Sequence, residues 1–369
     1  MAEETERAAE RLYIASQWTL MWWRLRRHRL AILAAIVLAG FYMIAIAAEF
    51  FAYADPMASD AKFGSMPPQG IHWFDGWRFR PYVHPVKGVR DLKTFKRVYA
   101  PDTDKKIPIR FFAHGYPYKF LGLFPTDRHL IGVQEGKAEG TIFLLGTDVQ
   151  GRDLWSRLMI ATRVSMSIGL VSVALSLLLG ILLGGISGFY GGWIDNVIQR
   201  VIEVLRSIPT IPLWMGLAAA VPRDWSVIKM YFAITVIISL LGWTELARVV
   251  RGRFLSLREE DFVIAAELSG SSRMRIILRH MVPSFLSHII AATTLALPAM
   301  IISETALSFL GLGLRPPAIS WGVLLRLAQN INAVAVTPWL LLPSIPVIIA
   351  VLAFNFLGDG LRDAADPYG

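Results

Sequence analysis

The chain has 369 residues, a net charge of +9 and a hydrophobic share of 54%, with a mean hydropathy of +0.49. A soluble domain is about 45–50% apolar, whereas here the apolar residues gather in runs of about 20, the length that crosses a ~30 Å hydrocarbon core. This excludes a soluble globular enzyme and marks a polytopic membrane protein, whose basic balance belongs to cytoplasmic loops and does not point to nucleic acid.

Residues 1–30 are polar, then basic, ending in WWRLRRHRL. Arg24, Arg26, Arg27 and Arg29 lie just ahead of the first apolar run, and the positive-inside rule puts that end in the cytoplasm, with Trp18, Trp22 and Trp23 at the interface. The run itself, Ala31–Tyr53, is long enough to span and follows a polar stretch, so no cleavable signal peptide is read from it. Residues 54–157 then form a polar, extracytoplasmic (periplasmic) insert rich in Pro, Gly and aromatics. Its Lys and Arg do not contradict that side, because long loops translocate largely regardless of charge. There is no cysteine, so the insert folds without disulfides. Alternating runs at Ile107–Phe112 and Thr141–Leu145 predict a small lobe, mostly β or irregular. Trp73, Trp77, Tyr82, Tyr116 and Tyr118 are expected to form its core, with contact to a sugar or peptide as the alternative.

Residues 158–369 hold five further spans. The second is Val164–Tyr190, where Gly180, Gly184, Gly188 and Gly192 recur every fourth residue and are expected to let another helix approach closely. A short cytoplasmic turn, GGWIDN, leads to the third, Val197–Val221, broken by Pro209 and Pro212. The fourth, fifth and sixth are Val227–Leu246, Ser284–Leu310 and Trp339–Leu357. Six spans put both termini in the cytoplasm, and the halves show no inverted repeat.

No P-loop, H-E-x-x-H or G-x-S-x-G motif occurs, and the seven His lack metal-ligand spacing. No catalytic or metal site is predicted. Ionisable residues inside spans are costly and therefore informative. Glu304, beside Ser303, Thr305 and Ser308, is either pathway lining or a hydrogen-bond partner of a neighbouring helix. Arg200, Glu203 and Arg206, at i, i+3 and i+6, are expected to pair along one helix face. Glu245 lies near the inner end of the fourth span.

The segment 248–283 carries seven Arg and four acidic residues. Ala265 and Ala266 allow close helix contact. Gly270 can adopt positive φ and end a short helix. Arg273, Arg275 and Arg279 follow on a second amphipathic stretch, which Pro283 stops. Two short helices at an angle make a knob between the fourth and fifth spans.

This segment resembles the coupling loop of ABC importer permeases, whose pattern is E-A-A, three residues, G, nine residues, I-x-L-P. Ala265, Ala266, Gly270 and Pro283 match it. Ile264 replaces the Glu, which leaves open whether Glu267, three residues on, takes its place, and His280 and Val282 stand at the Ile and Leu positions. RHMVP is similar to the RH-x-x-P form of the dipeptide/oligopeptide/nickel branch. Gly146, Thr147, Asp148, Gly151, Arg152 and Asp153 resemble that branch's G-T-D-x-x-G-R-D box, read as a gate-side turn in which Asp148, Arg152 and Asp153 pair locally, with direct substrate binding as the alternative. SETALSFLGLGLRPPAISWG and FNFLGDGLRDAADP extend the likeness, which runs from Leu145 to Pro367. The insert is similar in position and size to that of the C-type, Yej-type oligopeptide/microcin permeases.

The resemblance implies a type I ABC importer permease fold: all-α, six transmembrane helices, with a large extracytoplasmic insert between the first two. It implies a second, different permease subunit, two cytoplasmic ATPases, and a periplasmic binding protein that delivers substrate. ATP and Mg would sit in the ATPases and no cofactor on this chain, with Ala265, Ala266, Glu267, Gly270, His280 and Pro283 at the ATPase contact. Peptides are the expected substrate, with opines, oligosaccharides and nickel open. An ion-coupled secondary transporter using Glu304, and a membrane-anchored binding or sensor protein, are the alternatives from other classes.

Overall fold

The computed structural model describes residues 17–90, 92, 97–133, 142–222, 224–330 and 335–365. Residues 1–16, Thr141 and 366–369, on which some sequence expectations fall, lie outside them. The apolar runs fold as helices. In chain order these are α1 (Gln17–Arg27), α2 (Arg29–Ile46), α3 (Ala48–Phe51), α4 (Leu154–Tyr190), α5 (Gly192–Ser207), α6 (Thr210–Ala219), α7 (Val227–Leu257), α8 (Asp261–Leu268), α9 (Arg273–Arg275), α10 (Val282–Ser284), α11 (Leu286–Phe309), α12 (Trp321–Leu325) and α13 (Ser344–Ala365). Among the described residues five helical stretches are long and apolar enough to cross a membrane, or up to six if the α5–α6 pair, bent by 88°, counts as one.

Three boundaries differ from the sequence expectation. The GGWIDN turn shrinks to Gly191 and Gly192, both at positive φ (+62° and +58°), and the rest of it is the first turn of α5. The second span begins ten residues early, at Leu154, because the carboxylate of Asp153 caps it, Oδ2 accepting from the Ser156 N–H at 2.7 Å. The third span is two helices. Pro209 precedes α6, and Pro212 sits in its first turn, where a missing N–H costs nothing.

The chain divides into two compact units. The first comprises Met1–Ala39, Ile168–Glu304 and Ile349–Gly369. Within it the glycine spacing of α4 has its effect. A Cβ added at Gly180 would lie 2.9 Å from Leu246 Cβ, at Gly184 2.4 Å from the Ala247 carbonyl oxygen, and at Gly188 2.6 Å from Phe254 Cβ. Three successive turns of α4 therefore press on α7 nearly backbone to backbone. Gly192 does not join them; it lies past the helix end, with open space around it.

The second unit comprises Gly40–Ser167 and Thr305–Ile348, and it is here that the all-α expectation needs correction. Its strands are β1 (Ile71–Asp75), β2 (Arg78–Val83), β3 (Val86–Arg90), β4 (Arg97–Pro101), β5 (Ile107–Phe120) and β6 (Phe124–Val133). An antiparallel sheet runs β1-β2-β5-β6, and β3–β4 form a separate hairpin between β2 and β5. The predicted strand at Thr141–Leu145 is absent over its described residues. The Gln69 side chain takes the place of a strand partner, its Oε1 accepting from the Phe143 N–H at 2.7 Å while the Gln69 N–H donates to the Phe143 carbonyl at 3.0 Å. The lobe's core is aliphatic: Val83, Ile107, Ile109 and Ile142, with Ile71, Ile131 and Val133 against them. Trp73 is 52% exposed and Trp77 fully so, which removes them from it. They lie near the tip of the β1–β2 hairpin, beyond the reach of β5. Tyr116 and Tyr118 instead pack on the ring of buried His129, at 4.6 and 5.0 Å.

Candidate functional site

The basic segment 248–283 folds as the expected knob. Val263 and Ala266 turn inward from α8 onto Val250, Phe254, Ile276, Ile277, Met281 and Phe285. Gly270 adopts φ +74° and closes a Schellman turn: its N–H donates to the Glu267 carbonyl at 2.9 Å, and the Ser271 N–H to that of Ala266 at 3.1 Å. The Ser272 hydroxyl then caps the next helix by accepting from the Arg275 N–H. The Arg273 guanidinium stands 5.0 Å from the ring centre of Tyr190, tying the knob to the end of α4.

Pro283 does not stop this second stretch. It lies within α10, and the break falls at Phe285. A proline denies the preceding turn a hydrogen bond and crowds the carbonyl four residues back; the π-helical turn Ile276–Met281 directly before it is the local response. The opposite face of the knob is apolar and open. Phe262, Ile264 and Leu268 are exposed, Leu268 by 85%, with Ala265, Glu267 and Gly270 beside them, while His280 is half-buried. Ile264 thus puts a hydrocarbon on the surface where the coupling pattern has a carboxylate.

The box Gly146–Asp153 is a turn whose polar groups are used inside the chain. Thr147 and Asp153 form an isolated antiparallel bridge. Thr147, Asp148 and Asp153 are all buried. Asp148 accepts from the Gln150 N–H at 2.9 Å and the Arg152 N–H at 3.1 Å, and from Arg152 Nε at 2.6 Å. The Thr147 hydroxyl accepts from the Met66 N–H at 2.8 Å, and its carbonyl from Trp339 Nε1 at 2.9 Å. Asp148 and Arg152 pair as expected, but Asp153 faces the Tyr53 hydroxyl, which donates to it at 2.7 Å. Burial pushes the Asp153 carboxyl up to about 6.

A cavity of about 390 Å³ opens at the elbow between α5 and α6, walled also by α7 and α11. Ser303 lines it, together with Trp214, Gly242 and Met300. Glu304 is not among its lining residues and is fully buried within the protein. The Ser308 hydroxyl accepts from the Leu314 N–H at 2.9 Å, bracing the turn after α11. The three pathway candidates therefore do not converge.

Two ion pairs join α5 to α7, and sequence reasoning missed both. Asp195 takes Arg251 through two bonds, Nε to Oδ1 at 2.6 Å and Nη2 to Oδ2 at 2.5 Å, with the Ser187 hydroxyl donating to the same carboxylate. Arg206 does not continue the Arg200–Glu203 pair along α5; it reaches across to Glu245. Partners 39 and 56 positions apart leave no mark in local spacing. The available signal was negative: charges placed within a membrane span need a partner.

Comparison with known proteins agrees with this architecture. Residues 180–368 match the family model described as "Binding-protein-dependent transport system inner membrane component", and residues 16–68 match "N-terminal TM domain of oligopeptide transport permease C". The oligopeptide transport system permease protein OppC of Salmonella typhimurium is 42% identical over 66% of this chain and 78% of its own length. A putative peptide permease protein of Brucella suis is 36% identical over 70% of this chain and 83% of its own length. The chain belongs to the family of inner membrane components of binding-protein-dependent transport systems.

Proposed function

We propose that this chain is the permease subunit of an ATP-driven importer that carries oligopeptides delivered by a binding protein. The α5–α6 pair counts as one of six spans, both termini are cytoplasmic, and residues 54–157 lie on the outer side. A second, different permease completes the pathway. Two ATPases dock on the coupling loops of the two permeases, one of them on this chain's knob, and hold the ATP and Mg. The names of the relatives support the peptide class, and the knob supports the coupling role. Ala265, Glu267 and Gly270 stand on its open face with Phe262, Ile264 and Leu268, Ala266 lies packed beneath, and the half-buried His280 and exposed Pro283 lie on the return to α11.

The observation that carries this reading is the exposed apolar face of α8, held by a Schellman turn within a basic segment. A surface of that kind on a polar loop calls for a protein partner. ATP binding would favour the arrangement in which the knobs are drawn together, and substrate access would shift by that differential affinity.

The test is uptake by the reconstituted complex. ATP-dependent peptide uptake that survives an uncoupler supports the proposal, and uptake that persists without ATP but collapses with the uncoupler overturns it. Ala266→Arg, which forces a charge beneath α8, is expected to abolish transport and ATPase co-purification while membrane insertion stays normal. Wild-type uptake in that variant would remove the coupling assignment.

A further inference from the structure

The two ion pairs between α5 and α7 differ in a way that assigns them different work. Asp195–Arg251 is bidentate, tied to Ser187, and its side chains are 12% and 31% exposed. Arg206–Glu245 joins through a single bond, and its side chains are 41% and 69% exposed. The first is a clamp. The second is an open pair that can exchange partners.

Arg206 lies in the last turn of α5, at the broken span, and Glu245 just past the midpoint of α7. Charged side chains this exposed cannot face hydrocarbon without a cost of several kcal/mol, so they face water at the inner membrane boundary, a polar lumen or a ligand. Both residues are part of the wall of the elbow cavity. The remaining wall is built for tolerance. Ala296 and Ala299 leave room, while Gly242 lets Met300 and Ser176 pack against α7. Trp214 contributes an indole whose Nε1–H is buried with no hydrogen-bond partner among the described residues. The cavity's volume falls in the range of small-molecule sites, which pair a permissive apolar wall with a few fixed polar groups.

We infer that the elbow cavity is a transit subsite for the free termini of short peptides, with Glu245 receiving the terminal ammonium and Arg206 the terminal carboxylate. Peptides as a class share their termini and differ in their side chains. A site that reads one cation and one anion, and is roomy elsewhere, suits the class and not one member. The open ion pair keeps the two charges mutually compensated while the site is empty, so neither is stranded between cargoes. This inference rests on the peptide-permease reading above.

The experiment uses the assembled transporter in nanodiscs without nucleotide. The probes are three forms of one tripeptide with a photoreactive central residue: free at both ends, N-acetylated, and C-amidated. The free form is expected to label the cavity walls on α5, α6, α7 and α11. Glu245→Gln is expected to cut its labelling about tenfold, the scale of one charge-assisted hydrogen bond, and to leave the N-acetylated form unaffected. Arg206→Gln is expected to do the same for the free form against the C-amidated form. Equal loss for all three probes marks a structural pair and overturns the inference, as does labelling outside those helices. Peptide uptake is measured on the same preparation. Absence of uptake in the wild type defeats the peptide reading itself, whereas uptake with labelling elsewhere defeats only the subsite.

Discussion

Two turns in this molecule have nearly the same backbone and opposite surroundings. Gly270 in the knob has φ +74°, and Gly151 in the outer box has φ +75°. Around Gly270 a Cβ would meet nothing within 4 Å; at Gly151 it would lie 1.9 Å from the Asp60 carbonyl oxygen. The outer turn is filled by its own chain, and its hydrogen bonds are closed within the protein. The knob turn is shaped but empty on one side. A left-handed glycine therefore marks a sealed element in one place and an unfilled socket contact in the other, and only the neighbourhood distinguishes them.

That contrast can be broken by substitution. Gly151→Ala should be the most damaging change. Backbone oxygen cannot move aside as a side chain can, and the strain of positive φ adds to the clash. Folded protein should be nearly lost in detergent-solubilised size-exclusion profiles, and a normal profile would show that the outer turn is looser than described. Gly184→Ala comes next, because its Cβ would sit 2.4 Å from the Ala247 carbonyl. A cost of about 1–3 kcal/mol is expected from overpacking, read as a lower melting temperature. Gly270→Ala should cost only the left-handed penalty, about 1 kcal/mol, with insertion unchanged.

The pH response separates the two regions further. The Asp153 carboxyl is raised from 3.8 to about 6 by burial, so the folded state holds a proton that the unfolded chain has released. That group's contribution to stability is full below about 4 and falls as pH rises through 6. Asp153→Asn should flatten this part of the melting profile between those values, while Gly270→Ala leaves it intact. The smallest effect is expected from Ile264→Glu. It restores the carboxylate of the coupling pattern at an exposed position, and a surface pair is worth about 0–1 kcal/mol. ATPase co-purification should change by less than about tenfold, in salt-dependent fashion.

Much of this architecture was legible because its signals are local. The apolar runs gave the spans, Ala266 and Gly270 gave the knob, and the repeat Gly180–Gly184–Gly188 gave the close contact of α4. What escaped depends on distant partners. Arg206 looked like the third member of a helical row, yet its partner is 39 positions away. Asp195 sat in a stretch read as a turn, and its arginine is 56 positions on. Trp73 and Trp77 were placed in a core by type, but the lobe had already filled that core with Val83, Ile107 and Ile109. Ile142–Leu145 alternates like a strand, yet Phe143 bonds to the side chain and backbone of Gln69 and Leu144 to the Tyr53 hydroxyl, which no periodicity reveals.

The glycine face of α4 also fixes which motions the first unit has left. Three contacts one turn apart, two of them against the backbone of α7, prevent α7 from both sliding along α4 and rolling on it. Gly188 reaches Phe254, and Phe254 belongs to the packing of the knob, so α4, α7 and the knob form one stiff body without a bearing inside it. Helices α5 and α6 meet at an 88° bend through Ile208 and Pro209, and no α-helical hydrogen-bond ladder bridges that corner. A torque applied at the knob is then spent at the elbow, where the cavity lies, as a change of angle.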